Sequence, residues 1–385
     1  MSSYEPAPVA IADWGATGRL NRGLRPMRLR SKLPLSILSL SMAVFAWAGQ
    51  TQNPLELEVK GSVEVANQSA ALMVGPIDCD SDSDVFFMLP AGMGLPNAIN
   101  RISADGRKTT HFSLASVPEF ERSEVVGYSV GLDDQVYVLT AKDGRDPYVI
   151  RFDKDGQFGS VAKLEVGKGA ILRRIAVGAG GNYLIGGSQQ DGEKLIAKQL
   201  DRIFNGHGQM IASVKLVKHV TPAPGLKTPA ANLKVSDIPH LDADQMKKVE
   251  ELQQVVDLSV VRAGEDGNFY FSRFDPKGPV FVVAPSGEVV KEINLVAPKE
   301  PGFELLDVKV SKGRLAVAYQ GEPPPGGTAP VKIYVYDIQT EKEIAEYHHE
   351  NRQIGVAWAC YSPDTFTFIS SDENGKMRLV TASAR

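Results

Sequence analysis

The sequence has no excess of basic residues: 42 Lys and Arg stand against 46 Asp and Glu among its 385 residues. This balance gives no electrostatic case for a nucleic-acid partner or an anionic membrane surface. Long apolar runs are missing as well, which excludes a polytopic membrane protein. The six histidines include no metal-binding spacing such as H-x-x-x-H, so surface or structural roles are favoured over zinc.

The overall composition is that of a soluble, core-forming protein. Hydrophobic residues make up 43% and charged residues 23%, which excludes a disordered chain and a collagen-like fibre. The 36 Gly and 24 Pro favour a turn-rich architecture over long helices.

The N-terminus has the three features of a secretory signal peptide. A basic patch is formed by Arg28, Arg30 and Lys32. The apolar run from Leu33 to Ala48 follows and ends in a small-x-small cleavage pattern, Ala46-Trp47-Ala48. We predict a signal peptide over residues 1–48, with Met27 as an alternative start, and hence a periplasmic or secreted protein with no membrane span after cleavage. An uncleaved anchor and a buried core helix are the alternatives.

One pattern repeats six times along the rest of the chain. Each unit has an apolar strand, a polar turn and a second strand rich in aromatic and β-branched residues. The second strands begin at Val85, Val136, Tyr183, Phe269, Leu315 and Phe366. The intervals are about 50 residues once an insertion at residues 217–256 is set aside. Third and fourth strands follow in most units, and four short antiparallel strands at this period are typical of one propeller blade.

We therefore predict an all-β fold, a six-bladed β-propeller over residues 54–385. The alternative is a sandwich of about thirty short strands, far more than one sheet pair contains. The last unit has only three strands before the chain ends at Arg385. The alternating segment Leu55 to Val65 is predicted to supply the fourth strand and close the ring, which removes an exposed edge.

The insertion at residues 217–256 has a different character. A loop rich in Pro, Ala and Lys precedes an amphipathic helical stretch for which Asp242 is the predicted N-cap. We interpret it as a cover over apolar residues at the rim, with a functional lid as the alternative.

Short motifs carry a family resemblance over about residues 54–385. The segment Asp266-Gly267-Asn268-Phe269-Tyr270-Phe271 resembles the aromatic strand of NHL-type propellers, and Arg151 to Gly156 resembles their outer hairpin. Ser362-Pro363-Asp364 is similar to a turn of TolB-type propellers. The resemblance implies a six-bladed propeller and little about activity, since such folds include binding scaffolds, lactonases and lyases. The metal ligands of the gluconolactonase branch are not identified at matching positions.

The only two cysteines occupy the same place in the first and last units. Cys79 lies six residues before Val85, and Cys360 lies six residues before Phe366. The two units are neighbours in a closed ring, so we predict a disulfide that closes a loop of about 280 residues and stabilises the fold by roughly 3–5 kcal/mol. Because inner strands of adjacent blades diverge, two buried free thiols remain the alternative.

Alternating aspartates follow the first inner strand, in the segment IDCDSDSDV. Oxygen ligands so close together suit Ca²⁺, which makes Asp80, Asp82 and Asp84 candidate ligands. The segment lacks the Gly and Glu positions of a calcium loop, and a solvated acidic turn is the favoured interpretation.

Another motif, Gly127-Tyr128-Ser129-Val130-Gly131, matches the G-x-S-x-G nucleophile elbow. That chemistry requires a strand–turn–helix context, and here strands follow on both sides. We assign no catalytic residue and no structural metal ligand.

The sequence favours an exported, monomeric interaction propeller that binds a protein, peptide or glycan and is not an enzyme. Asp78, Asp80 and Arg262 are the candidate binding residues at the mouth of the ring. The alternative is a metal-dependent lactonase or hydrolase of the gluconolactonase type. An envelope-assembly role like that of TolB is ranked last, because no separate α/β domain precedes the first strand.

Overall fold

A computed structural model describes residues 53–69, 74–89, 98–142, 146–167, 169–189, 198–214, 259–273 and 277–385, with single residues at 192, 234, 243 and 246. The predicted signal peptide at residues 1–48 lies outside the described residues. The predicted insertion at residues 217–256 does too, apart from three isolated positions.

The described chain is built of strands and two short 3-10 turns. The first strand is β1 (Leu55–Ser69). The first two units contain β2 (Val74–Cys79), β3 (Val85–Leu89), β4 (Ala98–Ile102), β5 (Thr109–Ser113), β6 (Val125–Val130), β7 (Val136–Lys142), β8 (Asp146–Phe152) and β9 (Phe158–Lys163). The third and fourth contain β10 (Ala170–Val177), β11 (Tyr183–Gln189), β12 (Lys198–Phe204), β13 (Met210–Ser213), β14 (Ser259–Ala263), β15 (Phe269–Arg273), β16 (Val280–Val283) and β17 (Val289–Ile293). The last two contain β18 (Glu304–Ser311), β19 (Arg314–Gln320), β20 (Val331–Asp337), β21 (Lys342–His349), β22 (Ala357–Ser362), β23 (Thr365–Ser371) and β24 (Lys376–Ala384).

Strand pairing within these residues gives four separate four-stranded sheets, one for each of the first four units, and one eight-stranded sheet. The larger sheet has the order β18-β19-β20-β21-β1-β24-β23-β22. The expectation of six separate sheets is therefore corrected. The fifth and sixth units share one sheet because β1 hydrogen-bonds along both edges: it pairs antiparallel with β24 over most of its length, and parallel with β21 at Leu55 and Glu56. The predicted pairing of the Leu55 segment with the last unit is confirmed.

The sheets are arranged in a propeller-like ring. The first strands of successive units contact each other in a closed cycle, β2 to β6, β10, β14, β18, β22 and back to β2. Clusters of buried apolar side chains lie between successive units all the way round. Each sheet thus buries both faces against its neighbours, which explains why the second strands read as continuous apolar runs. The all-β class and the propeller-like arrangement are confirmed.

The turns between first and second strands set where the second strands begin. In the first four units they begin at the predicted residues. In the last two they begin one residue earlier, at Arg314 and Thr365, because the turns there are shorter. In the fifth unit Ser311 pairs with Arg314, and the two turn residues between them, Lys312 and Gly313, both have positive φ (48° and 73°), as a type I′ hairpin requires.

Within the described residues, helix is limited to the two 3-10 turns, Leu114–Ser116 and Ala179–Gly181, and to the isolated positions 243 and 246. None of the helices found there has the length and apolar character to span a membrane.

Candidate functional site

A cavity of about 530 Å³ opens where the first strands of the units end, at one face of the ring. Five of the six units contribute to its lining, the third being the exception. One lining residue from each of the five is Asp78, Ser129, Arg262, Lys309 and Cys360. We call this space the mouth cavity. Because its residues come from strands far apart in sequence, only the closed ring brings them together.

Three charged side chains form a compact ion-pair group at the cavity, the Arg262 group. The guanidinium Nη2 of Arg262 donates to both carboxylate oxygens of Asp307, at 2.8 and 3.0 Å. Lys309 Nζ lies 3.1 Å from Asp307 Oδ2 and donates to the carbonyl oxygen of Ile77 at 3.0 Å. All three charged side chains are at least 85% buried, with exposed fractions of 15%, 13% and 7% for Arg262, Asp307 and Lys309. A carboxylate shared by two cations holds all three in place without a bound ligand.

The electrostatics of this group follow from its burial and its pairing. Burial alone would raise the pKa of Asp307, but the Arg262 and Lys309 cations outweigh it, so the pKa is lowered. Burial would likewise lower the pKa of Arg262, and Asp307 with Asp78 raises it instead. For Lys309, the effect of burial is larger than that of the Asp307 and Asp78 charges, so its pKa is lowered. Arg262 and Asp307 therefore stay ionised at neutral pH.

Asp78 lies at the end of β2 and acts on the same group. It is half-buried, lines the mouth cavity and contributes to the electrostatic environment of both Arg262 and Lys309. The neighbouring Tyr128 hydroxyl donates to the carbonyl oxygen of Pro76 at 2.7 Å. Burial, and after it the charge of Asp78, raises the pKa of Tyr128 well above its ordinary value. Tyr128 is thus a neutral donor that anchors β2, and Asp78 is the carboxylate that faces the cavity beside it.

The aspartates that follow β2 form an ion-pair cluster with Arg101. The guanidinium Nη2 of Arg101 lies 2.9 Å from Asp80 Oδ2 and 2.8 Å from Asp84 Oδ2. Asp80 Oδ1 also accepts from the backbone N–H of Asp82 and of Asp84, which closes the turn. Burial raises the pKa of Asp80 to about 6, although the Asp84 N–H and the Arg101 charge oppose the rise. Two of the three candidate calcium ligands are therefore bound to a cation of the chain itself.

The part of the chain that the structure describes contains no preformed metal site. No group of three or more His, Cys, Asp or Glu side chains there is placed to hold a metal ion. Calcium at Asp80, Asp82 and Asp84 stays a prediction.

The two cysteines form the predicted disulfide, with Cα atoms 5.5 Å apart and a sequence separation of 281. The alternative of two free thiols is wrong. The bridge joins β2 to β22 where the first and last units meet, a contact that we call the seam. Both cysteines line the mouth cavity. The bridge is therefore part of the candidate site as well as a link in the ring.

The motif around Ser129 does not form a nucleophile elbow. Ser129 lies inside strand β6 and is only 6% exposed. Its hydroxyl accepts from the backbone N–H of Val177 at 3.3 Å, which ties the second unit to the third. A serine in this position supports packing between sheets.

The structure places all three candidate binding residues, Asp78, Asp80 and Arg262, on the wall of the mouth cavity. Sequence reasoning missed Asp307 and Lys309. The signal that could have found them is the pair of charged residues that alternates with apolar ones inside β18, in the segment ELLDVKVS. A second cavity of about 810 Å³ opens at the opposite end of β6, where Glu124 and Val126 line it together with Leu139 and Arg173.

Comparison with known proteins assigns this chain to no family. No protein-family model and no curated protein matches this chain. Among solved structures, a protein of unknown function from Bacteroides caccae is 14% identical with a TM-score of 0.41, over 71% of this chain and 80% of that one. A chain of the mitotic checkpoint complex is 8% identical with a TM-score of 0.40, over 90% and 85% of the two chains. A prolyl endopeptidase is 11% identical with a TM-score of 0.37, and the match covers 81% of this chain and half of that one.

Proposed function

We propose that this chain is an exported six-bladed β-propeller that binds a protein, peptide or glycan partner at its mouth cavity. The eight-stranded sheet is interpreted as two blades, because β1 pairs with β21 at only two residues and with β24 along most of its length. The closed cycle of six first strands supports the same count.

Export is supported by two features of different kinds. The N-terminal sequence has the basic, apolar and small-residue parts of a signal peptide. The Cys79–Cys360 disulfide belongs to the chemistry of oxidising compartments, since cytosolic thiols are kept reduced.

The observation that carries the binding proposal is the mouth cavity itself. Its volume of about 530 Å³ lies in the range of small-ligand sites, and five units contribute to its wall. The Arg262 group holds its charges in fixed positions before any ligand arrives, which lowers the ordering cost of binding.

The charges of the lining favour a ligand that carries an amine or a guanidinium group. Four carboxylates line the cavity, those of Asp78, Asp80, Asp134 and Glu265. Two of the three lining cations, Arg262 and Lys309, share the carboxylate of Asp307, which leaves Lys312 as the remaining one. Asp307 balances one of these two buried cations, and Asp80 is paired with Arg101. The carboxylates of Asp78, Asp134 and Glu265 then outnumber Lys312 and the remaining buried cation by one. A lining with this net negative charge attracts cations and repels anions.

A calorimetric titration with two charged peptides tests the proposal. Trilysine and triglutamate are titrated into the full-length protein at low salt, then into Asp78→Asn and into a matched control, Asp155→Asn, whose carboxylate lies in an outer turn and is 59% exposed. Trilysine is expected to bind, and Asp78→Asn to weaken it by about three- to tenfold, since one ion pair contributes roughly 1 kcal/mol. The control variant is expected to bind like the wild type.

Two results would contradict this proposal. One is triglutamate binding as tightly as trilysine, and the other is an equal loss in the two variants. A parallel titration with Ca²⁺ alone, and a metal analysis of the purified protein, decide the calcium hypothesis and the lactonase alternative.

A further inference from the structure

The disulfide is placed where solution can reach it through the mouth cavity. Cys79 is half-buried, Cys360 is 7% exposed, and both residues line the cavity. Cys79 stands between Asp78 and Asp80, two of the candidate binding residues, and its backbone N–H donates to Asp78 Oδ1 at 3.1 Å. Any change at this bridge therefore acts directly on the wall of the proposed site.

A second connection joins Cys360 to the base of the cavity. The indole N–H of Trp358 donates to the carbonyl oxygen of Cys360 at 3.0 Å. The ammonium group of Lys309 lies over the Trp358 ring, 5.4 Å from its centre. The bridge thus has one end beside Asp78 and the other linked through Trp358 to the Arg262 group.

The ring has another closure that does not depend on the bridge. Strand β1 pairs with β24 from Leu57 to Ser69, so the two ends of the described chain remain hydrogen-bonded when the cysteines are separated. The seam also contains an apolar cluster that includes Val85, Phe87 and Ile369. Cleavage of the bridge is therefore expected to loosen the end of β2 locally while the ring stays closed.

The seam can also accommodate the reduced state. Cys360 Sγ lies 3.7 Å from the carbonyl oxygen of Ser83, within the reach of a sulfur hydrogen bond. A disulfide sulfur has no proton to donate, whereas a thiol does. A thiol on Cys360 would therefore have the carbonyl oxygen of Ser83 as an acceptor.

We propose that the Cys79–Cys360 disulfide is a redox-sensitive lock on the mouth cavity, an inference that rests on the cavity being the binding site. A small dithiol enters the cavity in its neutral form and loses one proton to water. The resulting thiolate attacks the Cys79 sulfur and expels Cys360 as a thiolate, which takes up a proton. The second thiol of the reagent then attacks the mixed disulfide and releases Cys79 as a thiol. The protein gains two electrons and two protons, and the dithiol becomes a cyclic disulfide. The end of β2, where Asp78 lies, is then no longer covalently linked to β22.

Hydrogen exchange of the full-length protein, oxidised and after dithiothreitol, tests the lock. Amides at residues 77–84 and 358–362 are expected to exchange at least about tenfold faster after reduction, and those of the β1–β24 pairing at an unchanged rate. Cys360→Ser is expected to reproduce the reduced pattern without reductant. The double variant Cys79→Ala, Cys360→Ala is the control and is expected not to respond to dithiothreitol.

Three results would overturn the lock: faster exchange over the whole ring, no change at the seam, or a bridge that dithiothreitol reduces only after unfolding. Trilysine titration of the oxidised and reduced proteins completes the test, with at least a threefold loss of affinity expected on reduction and an unchanged affinity counting against the lock. If trilysine fails to bind the oxidised protein, the proposed function fails, and the exchange pattern still decides whether the bridge controls the cavity wall.

Discussion

Cys79 and Cys360 face each other across the seam although they do not occupy equivalent positions in their hairpins. Cys79 pairs with Val85, the first residue of its second strand. The residue that corresponds to Val85 in the last unit is Phe366, but Cys360 pairs with the next residue, Thr367. Equivalent residues in successive units point the same way round the ring and so cannot meet. A shift of one residue turns the side chain to the other face of its sheet. The two-residue turn in the last unit produces this shift and makes the bridge possible.

The first prediction concerns the stability that the bridge contributes. Cys360→Ala is expected to lower the free energy of unfolding by about 3–5 kcal/mol, because a closed loop of this length restricts the unfolded chain strongly. Urea denaturation of the variant and of the oxidised wild type measures the difference. The reduced wild type should match the variant, and a loss of less than about 1 kcal/mol would show that the bridge adds little to the ring.

The second prediction concerns the buried charge of Asp307. Asp307→Asn removes the carboxylate that Arg262 and Lys309 share and leaves these two buried cations with the half-buried Asp78 as counter-charge, so a loss of about 3–5 kcal/mol at pH 7 is expected. The folded-state pKa of Asp307 is lowered, so its contribution is present above its unfolded pKa and is lost as the pH falls through the folded one.

A triple variant separates the charge effect from a packing effect. Replacing the whole group, Arg262→Met with Asp307→Leu and Lys309→Met, removes every charge together. It is expected to recover most of the stability lost in Asp307→Asn, since apolar groups of similar volume replace buried ion pairs without a large penalty. If the triple variant is less stable than the single one, the packing of these side chains matters more than their charge.

The third prediction concerns His349, whose ring is buried edge-on against Phe368 at 5.1 Å. Burial, and after it the neighbouring His348, lowers the pKa of His349 to about 4. In the unfolded chain His349 therefore binds a proton as the pH falls through about 6.5, whereas in the folded chain it stays neutral until about pH 4. Stability is lost as the pH falls through this window, by about 3 kcal/mol.

The variant His349→Phe is expected to lack this part of the pH dependence. Unfolding free energies at pH 7.5, 6, 5 and 4 give the slope for the wild type and for the variant. The control His207→Gln changes an exposed histidine in the turn between β12 and β13 and is expected to keep the wild-type slope. Parallel slopes for the wild type and His349→Phe would contradict the assignment.

The fourth prediction concerns the close approach of β10 to Gly187 in β11. A Cβ atom at Gly187 would overlap the carbonyl oxygen of Ile171 and lie 2.9 Å from the Cα of Leu172, both backbone atoms that cannot rotate away. Gly187→Ala is expected to cost about 1–3 kcal/mol. Gly61→Ala is the matched control in β1, where nothing lies within 4 Å of the added Cβ, and it should leave stability unchanged within about 1 kcal/mol. Equal losses in the two variants would exclude the steric explanation.

Local sequence patterns were enough to predict the architecture of the individual units. Turn residues and the repeat length correctly predicted the first residue of the second strand in each of the first four units. The alternating pattern from Leu55 to Val65 correctly predicted the strand that completes the last unit. These features are local, because a turn needs particular φ angles and a strand buried on both faces needs a continuous apolar run. The same patterns singled out Asp78 and Arg262 as polar residues in first strands.

Contacts between distant strands determine which charges meet and how the ends of the ring join, and these contacts become visible in the folded chain. Arg262 meets Asp307 from 45 residues away, and Lys309 reaches Ile77 from 232 residues away. No local pattern encodes such a contact, because it depends on the radius of the ring and on which strand lies beside which. The same holds for β1, whose pairing along both edges merges the last two units into one sheet, and for the one-residue shift that turns Cys360 toward Cys79.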